Sequence, residues 1–116
     1  MTWLWLSAAF MVTTALVHGA LGEKRLIQPL LALDQGIMAV ELARKVFRFA
    51  WHAMSVLMLV SAASVVWPGT PRALILLIGA AWTTVGLADG LYTRGRHIGW
   101  PILTASGLFA ILGAAA

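Results

Sequence analysis

Uncharged runs of membrane-crossing length alternate along this chain with short clusters of charge. The clearest run is Phe49 to Pro71, 23 residues without Asp, Glu, Lys or Arg. An α-helix needs ~20 residues to cross ~30 Å of hydrocarbon. Met1 to Gly22 is a second run of 22 residues, Ala73 to Ala88 adds 16 (extended to about Tyr92 if Asp89 is held inside), and Ile98 to Ala116 adds 19. The pattern predicts an all-α integral membrane protein. Its four-transmembrane-helix bundle has spans at about 3–22, 46–67, 72–92 and 98–115, in one transmembrane domain covering residues 1–116.

The stretches between the runs read as boundaries. Glu23 to Lys45 is the first expected loop, because Pro29, Gly36 and its charges argue against another crossing. Within it LIQPLLAL is apolar enough to lie along a bilayer surface. From Gly36 onward Ile37, Val40 and Leu42 interleave with Glu41, Arg44, Lys45 and Arg48, which predicts an interfacial helix leading into the second span. Trp67-Pro68-Gly69-Thr70-Pro71 is a turn, with Pro71 suited to the start of the next helix. Thr93 to His97 is the second charged loop. The first run has no positive segment before it, the first Lys being Lys24, so it reads as a retained helix and not as a cleaved signal.

Composition removes the soluble alternative: 61% of residues are hydrophobic, 10% are charged and the mean hydropathy is +0.91. The net charge of +4 is unevenly placed. Lys24, Arg25, Arg44, Lys45, Arg48, Arg94 and Arg96 all fall on one side of the expected spans, and only Arg72 on the other. By the positive-inside tendency those loops face the cytoplasm and both termini lie outside, as in a bacterial inner (cytoplasmic) membrane. Such basic edges meet anionic lipid heads and give no support for a nucleic-acid surface. Trp3, Trp5, Trp51, Trp67 and Trp100 fall at expected interfaces, whereas Trp82 lies mid-span and is expected to pack in the core. Without cysteine there are neither disulfides nor thiolate ligands.

The remaining titratable groups share one depth. His18, His52, Asp89 and His97 each lie within five residues of a charged boundary, hence within ~8 Å of the inner interface at ~1.5 Å per residue. Glu23 and Tyr92 sit beside them. Residues three and four apart share a helix face. That rule groups Ser7, Met11, Thr14 and His18; Arg48, His52 and Ser55; Trp82, Gly86, Asp89 and Thr93; and His97, Trp100, Thr104 and Gly107. These four more polar stripes are expected to face one another. Gly86 and Gly90 form a GxxxG spacing, read as a helix contact; Gly95 and Gly99 repeat it in loop sequence.

Several chemistries follow from this layer. A carboxylate inside a span is expensive unless paired. Asp89, with a histidine, Arg94 or Arg96, and Glu23 are therefore candidates for a buried ion pair. His18, His52 and His97 are candidate cofactor ligands: His18 and His52 as axial ligands of a haem b, with Arg44, Arg48 or Lys24 at its propionates, or all three with a carboxylate around a divalent metal. Neither HxxxH nor CxxCH spacing accompanies them. Arg44, Arg48, Arg94 and Arg96 suit a lipid or quinone head group. No Walker loop, G-x-S-x-G, G-x-G-x-x-G or H-E-x-x-H is present, which sets aside the common hydrolase, kinase and dehydrogenase chemistries. The expected function is a small non-catalytic membrane protein, an accessory or interaction subunit of a larger membrane complex or a homo-oligomer, with a lipid or quinone head seated in the polar layer. The alternatives are a haem- or metal-binding redox protein using His18 and His52, and a small proton- or ion-coupled transporter built around Asp89.

Overall fold

A computed structural model describes residues 2–116, and these form helices joined by short turns. Helix α1 is Thr2–Ala32, α2 is Glu41–Val66, α3 is Arg72–Tyr92 and α4 is Trp100–Ala115. The first three, of 31, 26 and 21 residues, are long and apolar enough to cross a membrane. Helix α4 is equally apolar, but its 16 residues cover only about 24 Å at ~1.5 Å per residue.

In space the helices run α2, α1, α4, α3. Helix α1 packs against both α2 and α4, and α4 packs against α3, while the chain neighbours α2 and α3 scarcely meet. Between those two lies a groove of about 440 Å³, walled by Met54, Leu57, Met58, Trp82 and Val85. Small residues draw α3 onto α4. A Cβ at Gly86 would come within 2.5 Å of the Thr104 backbone nitrogen, and one at Gly79 within 2.9 Å of the Gly107 carbonyl oxygen. In apolar helices it is such positions that let backbones approach. The core they enclose contains Met11, Val65, Trp82 and Ala110. The fully buried Ser7 donates its hydroxyl to the Ser106 carbonyl at 2.6 Å, tying α1 to α4. Trp3 stacks on Phe109, so the two ends of the described chain lie together.

Three expectations are corrected. The helix does not end at Glu23. It continues through Glu23, Lys24 and Arg25 to Ala32, and the true connection is Leu33 to Val40. Two features hold it helical: Glu23 pairs with Arg48 of α2 at 2.9 Å, and Ile27 and Leu31, four apart on one face, are buried. Pro29 is tolerated at the second residue of the last helical segment, directly after a π-wound stretch. Nor is there a separate interfacial helix. Gly36–Ala39 is one 3-10 turn, and the basic stretch from Glu41 is the opening of α2 itself. Asp34 and Gly36, both with positive φ, turn the chain between the two helices. Helix α4 begins at Trp100, not 98, after Arg94 and Gly95 with φ of 53° and 73° terminate α3.

Candidate functional site

The charged end of the bundle is shaped by an irregularity in α1. Its backbone is α-helical to Leu16, then π-wound over Val17–Leu21 and again over Glu23–Ile27. At 100° per residue His18 and Glu23, five apart, would diverge by about 140° around an α-helix. At about 4.4 residues per turn, the winding that i→i+5 bonding implies, they diverge by only about 50°. The π register thus turns both side chains toward α2. Its cause is visible locally. The Gly22 N–H bonds to the Val17 and Gly19 carbonyls and passes over that of His18, which instead accepts the Trp51 indole N–H at 2.7 Å. A side chain entering the helical ladder is a recognised origin of such distortion. Gly22 makes room for it, since a Cβ there would sit 2.6 Å from Trp51 Nε1.

Around that insertion the side chains interlock. The His18 ring lies flat on the Trp51 indole, 4.0 Å between centroids and 10° from parallel, with His18 Nδ1 2.8 Å from Ser55 Oγ. One turn along α1, Glu23 holds Arg48 Nε at 2.9 Å through Oε1. Its other oxygen is buried without a hydrogen bond, and His52 Nε2 stands 3.5 Å from it. Beside this cluster Asp89 accepts a hydrogen bond from His97 Nδ1, and Thr93 Oγ1 donates to the Asp89 carbonyl while accepting the His97 N–H. That bracing shapes the turn between α3 and α4.

Between α1, α2 and the head of α4 opens a cleft of about 320 Å³. Its polar wall carries His18, Arg25, Trp51 and His97, while Leu21 and Ile102 belong to its apolar wall. The volume falls at the low end of the range for small-molecule sites, and the mixed lining is what such sites present.

The candidates read from sequence divide as follows. His18 and His97 border one cleft; His52 shares their end of the bundle but is turned to Glu23. His18 gives a face to Trp51 and a nitrogen to Ser55, and His52 stands against Glu23, so both are engaged by protein partners. Among the described residues no three His, Asp or Glu side chains are grouped to hold a metal ion. Glu23 forms an ion pair with Arg48, and Asp89 is hydrogen-bonded to His97. Arg44 and Arg48 are paired with Asp34 and Glu23, and Lys45 with Glu41. These pairs and Asp89–His97 engage all four acidic residues of the chain. Among the described residues Lys24, Arg25, Arg94 and Arg96 are left without a carboxylate partner. Arg25 and Trp51 line the cleft and Ser55 meets His18, yet none of the three stands among the site residues expected from sequence. In the sequence Arg25 reads as one of the basic edge residues that meet anionic lipid heads and Trp51 as an interfacial aromatic, while Ser55, three residues after His52, falls on the right stripe without a role. Comparison with protein-family models, with curated proteins and with solved structures found no match for this chain.

Proposed function

We propose that this is a small non-catalytic membrane protein that seats the phosphate head of an anionic phospholipid in the cleft between α1, α2 and α4. All four helices cross a bacterial inner membrane with the charged end in the cytoplasm and both termini outside. The short α4 is accommodated by local thinning of the bilayer. The single observation that carries the reading is the cleft lining itself: Arg25, which forms no ion pair among the described residues, shares it with His18 and with apolar side chains suited to an acyl chain. Basic pockets between helices at the cytoplasmic edge are where anionic head groups bind. An accessory role within a membrane assembly fits the same architecture, because no connecting segment is long enough to fold as a domain. Phe49, Leu57 and Val60 leave an apolar face of α2 uncovered.

The test is purification in a mild detergent, followed by extraction and mass spectrometry of what remains bound. About one anionic phospholipid per chain is expected, and its loss in Arg25→Gln. Recovery of a quinone, a haem absorbance band, or no amphiphile at all overturns the proposal.

A further inference from the structure

Eight hydroxyl groups of this chain share one habit, which Ser55 does not follow. Thr13, Thr14, Ser61, Ser64, Thr83, Thr93, Thr104 and Ser106 each donate to the carbonyl four residues earlier, and Ser7 donates across to α4. Ser55 has no carbonyl partner. Its Oγ meets only His18 Nδ1, at 2.8 Å. Gly19 allows that approach, since a Cβ there would lie 3.3 Å from the same oxygen.

A hydroxyl in apolar surroundings that fails to donate is left unsatisfied, which is unfavourable. The available acceptor is the bare Nδ1 of a neutral imidazole, and an imidazole bare at Nδ1 carries its proton on Nε2. The reverse polarity would spend the His18 proton on Ser55 and leave the serine proton with nowhere to go. Nε2 itself has no partner and is not among the occluded polar atoms, Glu23 Oε2 being the one such atom in the described residues. His18 lines the cleft.

Resting on the head-group reading above, we infer that Ser55 fixes His18 as the Nε2–H tautomer and so makes it the neutral donor that takes a phosphodiester oxygen beside Arg25. Trp51 holds the ring plane and Ser55 its proton; Ser55 is therefore a positioning residue, and His18 the one that touches the ligand. Phosphodiester oxygens only accept, so an N–H at this point admits them, whereas the other tautomer would set lone pair against lone pair.

Nitrogen-15 spectra of the histidine side chains in nanodiscs read the tautomer, and native mass spectrometry reads phosphatidylglycerol retained by the same samples. Wild type is expected to show His18 as Nε2–H. Ser55→Ala should give a tautomer mixture and lose about tenfold in retention, the scale of one hydrogen bond to a charged group. Ser55→Thr, which keeps the hydroxyl, should behave as wild type in both. An Nδ1–H wild type, or Ser55→Ala with tautomer and retention unchanged, overturns the inference. A Ser55-dependent Nε2–H in a protein that retains no phosphatidylglycerol overturns the head-group reading and the donor role, and leaves the tautomer assignment standing.

Discussion

Replacing Gly86 by Ala measures how tightly α3 and α4 must approach. The new Cβ would stand 2.5 Å from the Thr104 backbone nitrogen and 2.8 Å from its Cα, where carbon contacts settle at ~3.5–4.0 Å. Because the obstacle is backbone, no rotamer change relieves it, and α4 has to withdraw by about 1 Å. That withdrawal also loosens the contacts of Gly79 with Gly107 and of Gly90 with Trp100, which flank the site on the same interface. Overpacking costs about 1–3 kcal/mol, and the upper end applies where neighbours are lost as well. Alanine in a helix interior regains about 1 kcal/mol over glycine. The net loss is about 2 kcal/mol, close to 30-fold in the folding equilibrium at ~1.4 kcal/mol per decade. Sodium dodecyl sulfate titration from mixed micelles, followed by tryptophan fluorescence, resolves this. Ala88→Gly on the exposed face of α3 calibrates the propensity component at about 1 kcal/mol. Gly86→Ala as stable as wild type, or more so, would show that the α3–α4 contact is not close-packed in the membrane.

Three further substitutions probe the polar links between helices with the same titration. Trp51→Phe keeps an aromatic face against His18 but withdraws the indole proton from the His18 carbonyl. It should cost about 1 kcal/mol, and amide exchange around Gly22 should show the π-wound segment relaxing. Ser7→Ala removes the hydrogen bond from α1 to α4 and should cost about 0.6–1.7 kcal/mol. Ser106→Ala removes only a bond within its own helix, so it should cost clearly less; equal losses would contradict the assigned donor.

Much of the fold was legible because charge and apolarity segregate so sharply. The uncharged runs locate α2 and α3 closely, and the periodic stripes through Ser7, Met11 and Thr14, and through Thr104 and Gly107, are buried as helical spacing requires. The second half of α1 was not legible. Glu23, Lys24, Arg25 and Pro29 carry every local sign of a loop, and what keeps them helical is the pairing of Glu23 with Arg48 of another helix and the burial of Ile27 and Leu31. The site divides the same way. Counting residues from charged boundaries brought His18 and His97 to one level, and the two border one cleft. His52 shares that level, yet its direction depends on Glu23, which faces α2 only because the backbone is π-wound. No pattern within α1 announces that winding, since its cause is the Trp51 side chain of α2. Ser55 was therefore readable as a face and not as a partner.

The spatial sequence α2, α1, α4, α3 has a consequence for biogenesis. Under the membrane reading proposed above, a nascent chain delivers α1 and α2 first, and those two can mate as a hairpin as soon as both are in the bilayer. The next arrival, α3, finds almost no docking place on its predecessor and must wait for α4 to couple it to α1. The Ser7–Ser106 link, 99 residues apart in the chain, closes the structure at that late step. Until then the apolar flank of α1 is exposed to insertase, chaperone or lipid, and truncation before α4 would strand a half-built bundle.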